Sequence, residues 1–234
     1  MFEELDYRQT PMGELVLRRR AEPRLGGREV YEVKLGDDFL MSSLFYEGEV
    51  ALARLGLAGL RDQHLDVVVG GLGLGYTAAA ALEHPALRSM LVIETLAGVI
   101  EWHRRGLVPL GATLNGDGRC RFLEADFFGL YGRGLDPDEP GRRFHAVLLD
   151  IDHAPDHLLH PGHAGLYESD GLNRLAQQLH PGGAFALWSN DPPDAAFLAR
   201  LASCFADAAT HVVGFPNPYT GGEATNTVYV AHAA

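Results

Sequence analysis

The first stretch of the chain alternates between hydrophobic and polar positions, which is the period of a β-strand with one buried face. Residues 13–20 alternate briefly, residues 30–35 alternate more clearly, and the turn-forming segment 23–27 separates them. Two such runs joined by a glycine-containing turn indicate a β-hairpin. Residues 39–41 follow a second turn signal and could form a further short strand. We therefore predict a small antiparallel sheet within residues 1–45.

The pattern changes at Tyr46, and from Glu47 to Leu60 apolar residues recur at the spacing of a helix. Short apolar runs then alternate with helix-compatible segments, as is typical of an α/β domain whose parallel strands are buried on both faces. The strands predicted for this second domain, residues 46–234, are 65–69, 90–93, 120–123, 144–149 and 184–188, with an antiparallel pair at 212–213 and 227–231. The helices predicted after the first are 76–84, 97–105, 166–179 and 192–206.

Composition and charge exclude several classes of protein. The chain of 234 residues has 19 basic and 31 acidic residues, a formal net charge of −12, and Lys34 as its single lysine. This balance disfavours nucleic-acid binding that depends on a basic surface. No apolar run reaches the roughly 18–20 residues of a membrane span, and residues 1–10 lack the apolar core of a secretion signal. Cys120 and Cys204 have no metal-type spacing and require no disulfide, so we expect a cytoplasmic protein.

A glycine loop, residues 70–75, follows the first strand of the second domain and precedes a helix. Glycines let backbone N–H groups and the helix N-terminus approach a ligand closely. Gly71, Gly73 and Gly75 fit the GxGxG loop of S-adenosylmethionine-type folds, whereas Tyr76 occupies the third glycine position of a dinucleotide fingerprint that starts at Gly71. A looser dinucleotide form starts at Gly73, and a tight strand-to-helix turn without a ligand is a further alternative. No Gly-Lys-Ser/Thr sequence follows, which excludes a Walker phosphate loop.

Carboxylates follow three further predicted strands, at the edge of an open sheet where ligands bind. Glu94 can accept hydrogen bonds from ribose hydroxyls, in S-adenosylmethionine or in NAD. Asp126 can accept from an adenine amino group, with Phe127 or Phe128 as an apolar ring face, or it can simply cap a helix. Asp150 ends the fourth strand and completes the series.

Several segments in a fixed order resemble one known family, the spermidine synthases or polyamine aminopropyltransferases. These segments are the N-terminal hairpin, residues 41–43 with Glu49, the glycine loop, and residues 93–94, 124–127, 148–150 and 179–183. The resemblance covers roughly residues 12–232 and includes the N-terminal sheet, which ordinary methyltransferases lack. It implies a Rossmann-like class I methyltransferase fold, with a mostly parallel seven-stranded sheet and helices on both faces, behind a small antiparallel β-domain. It also implies decarboxylated S-adenosylmethionine as co-substrate and a homodimer.

The resemblance implies roles for individual residues. Glu94 would bind the ribose and Asp126 the adenine, while Asp150 would be the base that faces the attacking amine. We assign Gly71, Gly73, Gly75, Phe127 and Glu49 to the same co-substrate site and Asp152 to catalysis beside Asp150.

The chain departs from the family in its polyamine-specific motifs. The family's glycine motif, GGGDGG, carries an aspartate that helps to hold the aminopropyl donor, whereas the glycine loop of this chain has no carboxylate. The family's catalytic loop reads approximately DSSDP, and its second aspartate falls on His153 here, with Asp152 one position earlier. Residues 46–49 only approximate the family's tyrosine–histidine–glutamate signature.

An amine substrate favours carboxylates and aromatic faces around it. The candidates for these two roles are Asp150, Asp152, Asp156, Tyr46, Tyr167 and Trp188, of which we assign Tyr46, Asp156 and Tyr167 to the substrate. The same loop holds His153, His157, His160 and His163, which together with its aspartates resemble a metal cluster. Because prolines interrupt any regular helix there, we expect a histidine-rich lid and no metal.

Three functions remain open from the sequence. The first is transfer of an aminopropyl group from decarboxylated S-adenosylmethionine to a polyamine-type amine. The second is methyl transfer from S-adenosylmethionine to an unknown acceptor, and the third is a non-catalytic nucleoside-binding homologue. An NAD-dependent oxidoreductase is a more distant fourth alternative.

Overall fold

Four antiparallel strands form a sheet at the start of the chain. The computed structural model describes residues 2–234, and its first strands are β1 (Phe2–Thr10), β2 (Gly13–Glu22), β3 (Arg28–Leu35) and β4 (Asp38–Ser42), hydrogen-bonded in that order. The predicted hairpin is β2–β3, and a 3₁₀ turn at Pro23–Leu25 connects its strands. β1 was not predicted, because it is an edge strand whose charged and exposed side chains hide the period of two.

The second sheet has seven strands in the order β10-β11-β9-β8-β5-β6-β7. The five strands from β9 to β7 in that order are parallel, and β10 and β11 add an antiparallel edge. This sheet confirms the predicted fold class. Its strands are β5 (Leu65–Gly70), β6 (Leu87–Glu94), β7 (Cys120–Glu124), β8 (Phe144–Leu149), β9 (Leu179–Ser189), β10 (Asp207–Asn217) and β11 (Gly222–His232). The helices are α1 (Glu47–Ala58), α2 (Tyr76–Leu82), α3 (Ala97–Arg104), α4 (Gly111–Gly116), α5 (Phe127–Leu130), α6 (Ala164–Tyr167), α7 (Ser169–Ala176) and α8 (Ala195–Cys204).

The element predicted least accurately is the helix 166–179. It consists of two helices, α6 and α7, because Glu168 has extended backbone angles (φ −85°, ψ 160°) and breaks the helical path. β9 starts at Leu179, so the last residue of the predicted helix belongs to the strand that follows it.

Apolar side chains cover both faces of the large sheet. Val67 and Val69 of β5 pack into a cluster with α1, α2 and α3, whereas Val68 between them packs into a second cluster with α5, α7 and α8. All three valines are fully buried. Burial on both faces explains why the parallel strands are continuous apolar runs in the sequence.

The small sheet packs against the large domain and supplies part of the same core. Leu15 and Leu17 of β2 are fully buried in the cluster that contains Val67. Polar contacts fix the edge strand as well, since the indole Nε1 of Trp102 donates to the Asp6 carboxylate (2.6 Å) and the Arg8 guanidinium donates to Glu101 (2.7 Å). Within residues 2–234, no helix combines the length and apolarity that crossing a membrane requires.

Candidate active site

A cavity of about 430 Å³ opens at the carboxyl ends of the parallel strands. β5 pairs with β6 on one side and with β8 on the other, so the connections leave in opposite directions there and produce the crevice in which ligands of open α/β sheets bind. The walls come from the glycine loop, the ends of β6 and β8, the loop after β8 and the small N-terminal sheet. The sequence-predicted site residues that line it are Gly71, Gly73, Glu94, Asp126, Asp150, Glu49 and Trp188.

The glycine loop forms one wall of the cavity in a conformation that requires glycine. Gly71 (φ +93°) and Gly73 (φ +47°) both have positive φ angles, which side-chain-bearing residues rarely adopt. A Cβ atom at Gly71 would overlap the backbone carbonyl oxygen of Asp150, and one at Gly73 would overlap the Met41 sulfur. Gly75 (φ +92°) precedes α2 and packs beside His103 instead of lining the cavity.

Two residues outside the predicted site hold this loop: His103, which the sequence did not single out, and Met41, which belongs to the segment 41–43 that resembles the family. The Nε2 atom of His103 lies 3.0 Å from the Gly73 carbonyl oxygen, and since a carbonyl only accepts, Nε2 carries the proton. Burial lowers the pKa of His103, so the ring is uncharged at neutral pH. The Met41 sulfur accepts a hydrogen bond from the Leu74 N–H (2.9 Å). Thus β4 places an apolar thioether over the glycine loop, whose own residues 70–75 include no carboxylate.

Glu94 connects the glycine loop to the end of β6. Its Oε2 atom accepts from the Leu72 N–H (2.9 Å) and its Oε1 atom from the Leu96 N–H (2.8 Å). Burial raises the pKa of Glu94, and these backbone hydrogen bonds oppose the rise by favouring the charged form. Glu94 also lines the cavity, and a carboxylate there can accept from a ligand hydroxyl.

Asp126 and the two phenylalanines after it differ in whether they reach the cavity. Asp126 caps α5, since its Oδ1 atom accepts from the Phe128 N–H (2.9 Å), and it also lines the cavity. Phe127, which we assigned to the co-substrate, is buried against Gly70 in the core and does not line the cavity. Phe128 lines it, with its ring stacked on His163 at a centroid distance of 3.6 Å. The ring face available to a ligand is therefore that of Phe128.

Two further carboxyl groups that line the cavity, Asp150 and Glu49, lie close together. Thr77 donates from its hydroxyl to Asp150 Oδ2 (2.7 Å) and lies 3.3 Å from the Glu49 carbonyl oxygen. Burial raises the pKa of Asp150 to about 6, and the Thr77 hydrogen bond partly offsets that rise. Burial and the negative charge of Asp150 raise the pKa of Glu49 well above its usual range. Burial and mutual repulsion therefore make this pair of carboxyl groups hold a proton to higher pH than an isolated carboxyl group would.

The loop after β8 lines one side of the cavity, and hydrogen bonds to the buried side chain of Asp152 fix its conformation. This carboxylate is 1% exposed and accepts from the Leu159 N–H (2.8 Å) and the Tyr167 hydroxyl (2.7 Å), with His163 Nδ1 2.8 Å away. It does not line the cavity, so the structure does not support a catalytic role for Asp152. Tyr167 likewise lies behind the wall, buried against Asp152. Both residues, assigned to catalysis and to substrate, instead anchor the loop.

The other two substrate assignments also lie outside the cavity. Asp156 is exposed at the outer side of the loop. Tyr46 stacks on Tyr76 at a centroid distance of 4.5 Å, in a groove between α1 and α2. Trp188 of β9 does line the cavity, and its Nε1 atom is buried without a hydrogen-bond partner in residues 2–234.

Histidines form the inner surface of the loop. His153, His160 and His163 line the cavity, whereas His157 is exposed. Within the part of the chain that the structure describes, no three histidine, cysteine or acidic side chains come together as potential metal ligands. The histidines therefore contribute imidazole faces and nitrogen atoms to the wall itself.

The small N-terminal sheet contributes an apolar wall that sequence analysis did not predict. The residues concerned lie in the β1–β2 turn and in β3 and β4, and they are Met12, Val33, Leu35, Leu40 and Met41. Apart from Met41, which belongs to the family-like segment 41–43, no local signal marks these positions as functional, because they resemble ordinary strand and turn residues. Only the docking of the two sheets brings them to the cavity.

No protein-family model matches the chain, and no curated protein matches it in sequence. Solved structures do match. The chain is similar to the spermidine synthase of Thermotoga maritima, with 16% identity, a TM-score of 0.73 and coverage of 99% of this chain and 73% of that chain. It is also similar to a spermidine synthase in complex with the transition-state analogue AdoDATO, with 15% identity, a TM-score of 0.72 and coverage of 99% and 72%.

A third similar structure is a probable spermidine synthase from Corynebacterium glutamicum ATCC 13032, with 13% identity, a TM-score of 0.66 and coverage of 98% of this chain and 79% of that chain. The fold of this chain, including its N-terminal sheet, is therefore the fold of these spermidine synthases.

Proposed function

We propose that this protein transfers an aminopropyl group from decarboxylated S-adenosylmethionine to an amine. The observation that carries the proposal is one cavity lined by Glu94 and Asp126, which follow the strands β6 and β7, and by the Asp150–Glu49 pair. The likeness to solved spermidine synthases, one of them bound to a transition-state analogue, supports this choice. A homodimer in the cytoplasm remains a prediction that light scattering and cell fractionation would test.

The residues have distinct roles in this proposal. Glu94 accepts from the ribose hydroxyls, and Asp126 accepts from the adenine amino group beside the ring of Phe128. The positive sulfonium and the amine face Asp150. A pKa of about 6 leaves Asp150 mostly ionised at pH 7, so it can accept a proton. Because this pKa is close to pH 7, Asp150 can also release the proton again.

The transfer step balances without a metal or redox partner. The neutral amine nitrogen attacks the propyl carbon bound to the sulfonium sulfur, and a C–N bond forms. The C–S bond breaks, its electron pair stays on sulfur, and methylthioadenosine leaves. The alkylated nitrogen is then an ammonium, and its proton passes to Asp150. Burial and the charge of Asp150 raise the pKa of Glu49, and in its protonated form this residue can donate a hydrogen bond beside the reacting atoms.

Incubation with decarboxylated S-adenosylmethionine and a set of aliphatic amines tests the proposal, with methylthioadenosine as the measured product. We expect product with at least one amine and its loss in Asp150→Asn. Asp156→Asn is the matched control, because that carboxylate is exposed outside the cavity and its loss should leave turnover unchanged. Product formation that survives Asp150→Asn contradicts the role given to Asp150.

One observation favours methyl transfer as a second candidate. Where the glycine loop lines the cavity, Gly73 lies beside the sulfur of Met41 from β4. The loop itself has no carboxylate that would repel the methionyl carboxylate of intact S-adenosylmethionine. Calorimetric titration with the two donors separates the candidates. Aminopropyl transfer requires the decarboxylated donor to bind more tightly, whereas tighter binding of the intact donor favours the methyltransferase. Binding of both donors with no product from any acceptor indicates the non-catalytic homologue.

A further inference from the structure

The ring of Phe128 contacts three other aromatic rings at the wall of the cavity. The imidazole of His163 stacks on it almost in parallel, with a centroid distance of 3.6 Å and an interplanar angle of 6°. The ring of Phe127 meets it nearly at a right angle with a centroid distance of 5.7 Å, and the ring centroid of Tyr167 lies 6.4 Å away. Of these three neighbours, Phe127 and Tyr167 are buried, and His163 lines the cavity together with Phe128.

A fully buried carboxylate holds two of these neighbouring rings. Asp152 accepts a hydrogen bond from the Tyr167 hydroxyl (2.7 Å), and its other oxygen lies 2.8 Å from Nδ1 of His163. Because a carboxylate only accepts, Nδ1 carries the proton of this second hydrogen bond. A hydrogen bond to a charged group is stronger than one between neutral groups, so Asp152 fixes the orientation of the imidazole. His163 therefore connects the anchor of the loop after β8 to the Phe128 ring, which belongs to α5.

Phe128 lies next to the carboxylate that we assign to the nucleobase. Its backbone N–H donates to Asp126 Oδ1 (2.9 Å), and both residues line the cavity. A ligand that hydrogen-bonds to Asp126 therefore lies beside the Phe128 ring. The imidazole of His163 covers one face of that ring and leaves its other face and its edge for the ligand. Contacts between aromatic groups depend on the position and the angle of both rings, so the orientation of Phe128 matters for affinity.

We propose that His163 is a positioning residue for the nucleoside end of the site. It acts through Phe128, whose ring it holds in place, and it is itself held by Asp152. The inference rests on the proposed binding of a nucleoside donor. A ring that is fixed before the ligand arrives loses less conformational entropy on binding, so its contact with the ligand contributes more to the affinity.

Two substitutions separate the two contacts of His163. His163→Asn keeps an N–H that can donate to Asp152 and removes the stacked ring, whereas His163→Phe keeps a flat ring and removes the donor. The probe is methylthioadenosine in calorimetric titrations, because it is uncharged at neutral pH and reports on the nucleoside end alone. We expect each variant to raise its dissociation constant about two- to tenfold, the effect of one well-aligned aromatic pair.

The same variants have a kinetic readout that a general structural defect would not reproduce. The value of kcat at saturating donor and amine should stay unchanged while KM for the donor rises, because the contact stabilises the nucleoside equally before and during transfer. His157→Asn is the matched control, since that histidine is exposed on the same loop, and it should leave both values unchanged. A fall in kcat with an unchanged KM for the donor would overturn the role given to His163.

A double variant tests whether His163 acts through the ring of Phe128. Phe128→Leu alone should weaken the binding of methylthioadenosine. Adding His163→Asn should weaken it no further, because the ring that His163 positions is already absent. An equal loss of affinity from His163→Asn in both backgrounds would overturn the inference, since the effect would then not depend on Phe128.

The outcomes distinguish this inference from the function on which it rests. Unchanged affinity of His163→Asn for methylthioadenosine overturns the inference, while product formation by the unaltered protein still supports aminopropyl transfer. The expected pattern of affinities without product from any amine supports the role of His163 and rejects the transfer. If the unaltered protein binds neither methylthioadenosine nor decarboxylated S-adenosylmethionine, the proposed nucleoside binding is rejected, and the inference fails with it.

Discussion

Replacing Thr77 by valine removes the hydroxyl that donates to Asp150 and keeps the shape of a side chain that is 2% exposed. A hydrogen bond to a charged group contributes about 1.5–3 kcal/mol, which is roughly a 10- to 100-fold change in the acid equilibrium. With a pKa of about 6, Asp150 is about 90% ionised at pH 7. Without the hydroxyl, the ionised share falls to between about one half and one tenth. We therefore expect turnover of Thr77→Val at pH 7 to fall about two- to tenfold.

The assay is the pH dependence of kcat at saturating donor and amine, from pH 5 to pH 9. The unaltered protein should gain activity through pH 6, because the base form of Asp150 is required, and Thr77→Val should reach the same plateau at a higher pH. Thr77→Ser keeps the hydroxyl and should behave like the unaltered protein. A loss in Thr77→Val that is equal at every pH refutes the reasoning, since it would show a structural defect and no change in the ionisation of Asp150.

Three further outcomes follow from the geometry of the site. Asp150→Asn should abolish transfer yet raise the free energy of unfolding at pH 7 by about 1–3 kcal/mol. An acid whose pKa is raised in the folded state destabilises the fold progressively from its ordinary pKa, about 4, up to its folded pKa, about 6, so the gain should be full above pH 6 and vanish below about pH 4 in thermal melts. Gly73→Ala should weaken donor binding measured by calorimetry, because the new side chain adds about 1–2 kcal/mol of backbone strain and overlaps with Met41. In the double variant with Met41→Ala, only the loss of affinity caused by the overlap should be restored. Tyr167→Phe removes one of the hydrogen bonds to buried Asp152 and should lower the free energy of unfolding by about 1–3 kcal/mol. We expect a higher KM for the amine and little change in kcat. An unchanged melting temperature would show that this hydrogen bond does not stabilise the fold.

The fold followed from the sequence because its signals are local. Val67, Val68 and Val69 form a continuous apolar run because both faces of β5 are covered, and the glycines after them are required by positive φ angles. β1 escaped prediction because the energy that fixes it comes from distant partners. Trp102 and Glu101 hold it, and nothing near Asp6 in the sequence indicates those contacts.

The candidate site was predictable where a carboxylate directly follows the end of a parallel strand. Glu94, Asp126 and Asp150 stand at such ends, and all three line the cavity. Loop residues were not predictable in the same way. Asp152 and Asp150 are two positions apart, yet one is buried under the loop and the other faces the cavity, because the backbone turns between them.

The aromatic residues show the same limit. Phe127 and Phe128 are indistinguishable by composition, and only the start of α5 at Asp126 decides which ring enters the core and which reaches the cavity. His103 and Met41 act on the glycine loop from elements remote in sequence. No motif includes His103, and the segment 41–43 that resembles the family does not indicate the contact of Met41 with this loop.

The most direct test of aminopropyl transfer is a single-turnover reaction with the protein in excess over decarboxylated S-adenosylmethionine labelled in its propyl carbons, followed by mass spectrometry. The proposed function predicts that the label leaves sulfur and appears on the amine nitrogen, with one methylthioadenosine formed for each labelled amine, and that neither product forms with Asp150→Asn. Recovery of the labelled donor intact from the active protein, with an amine present and the donor bound, would contradict it.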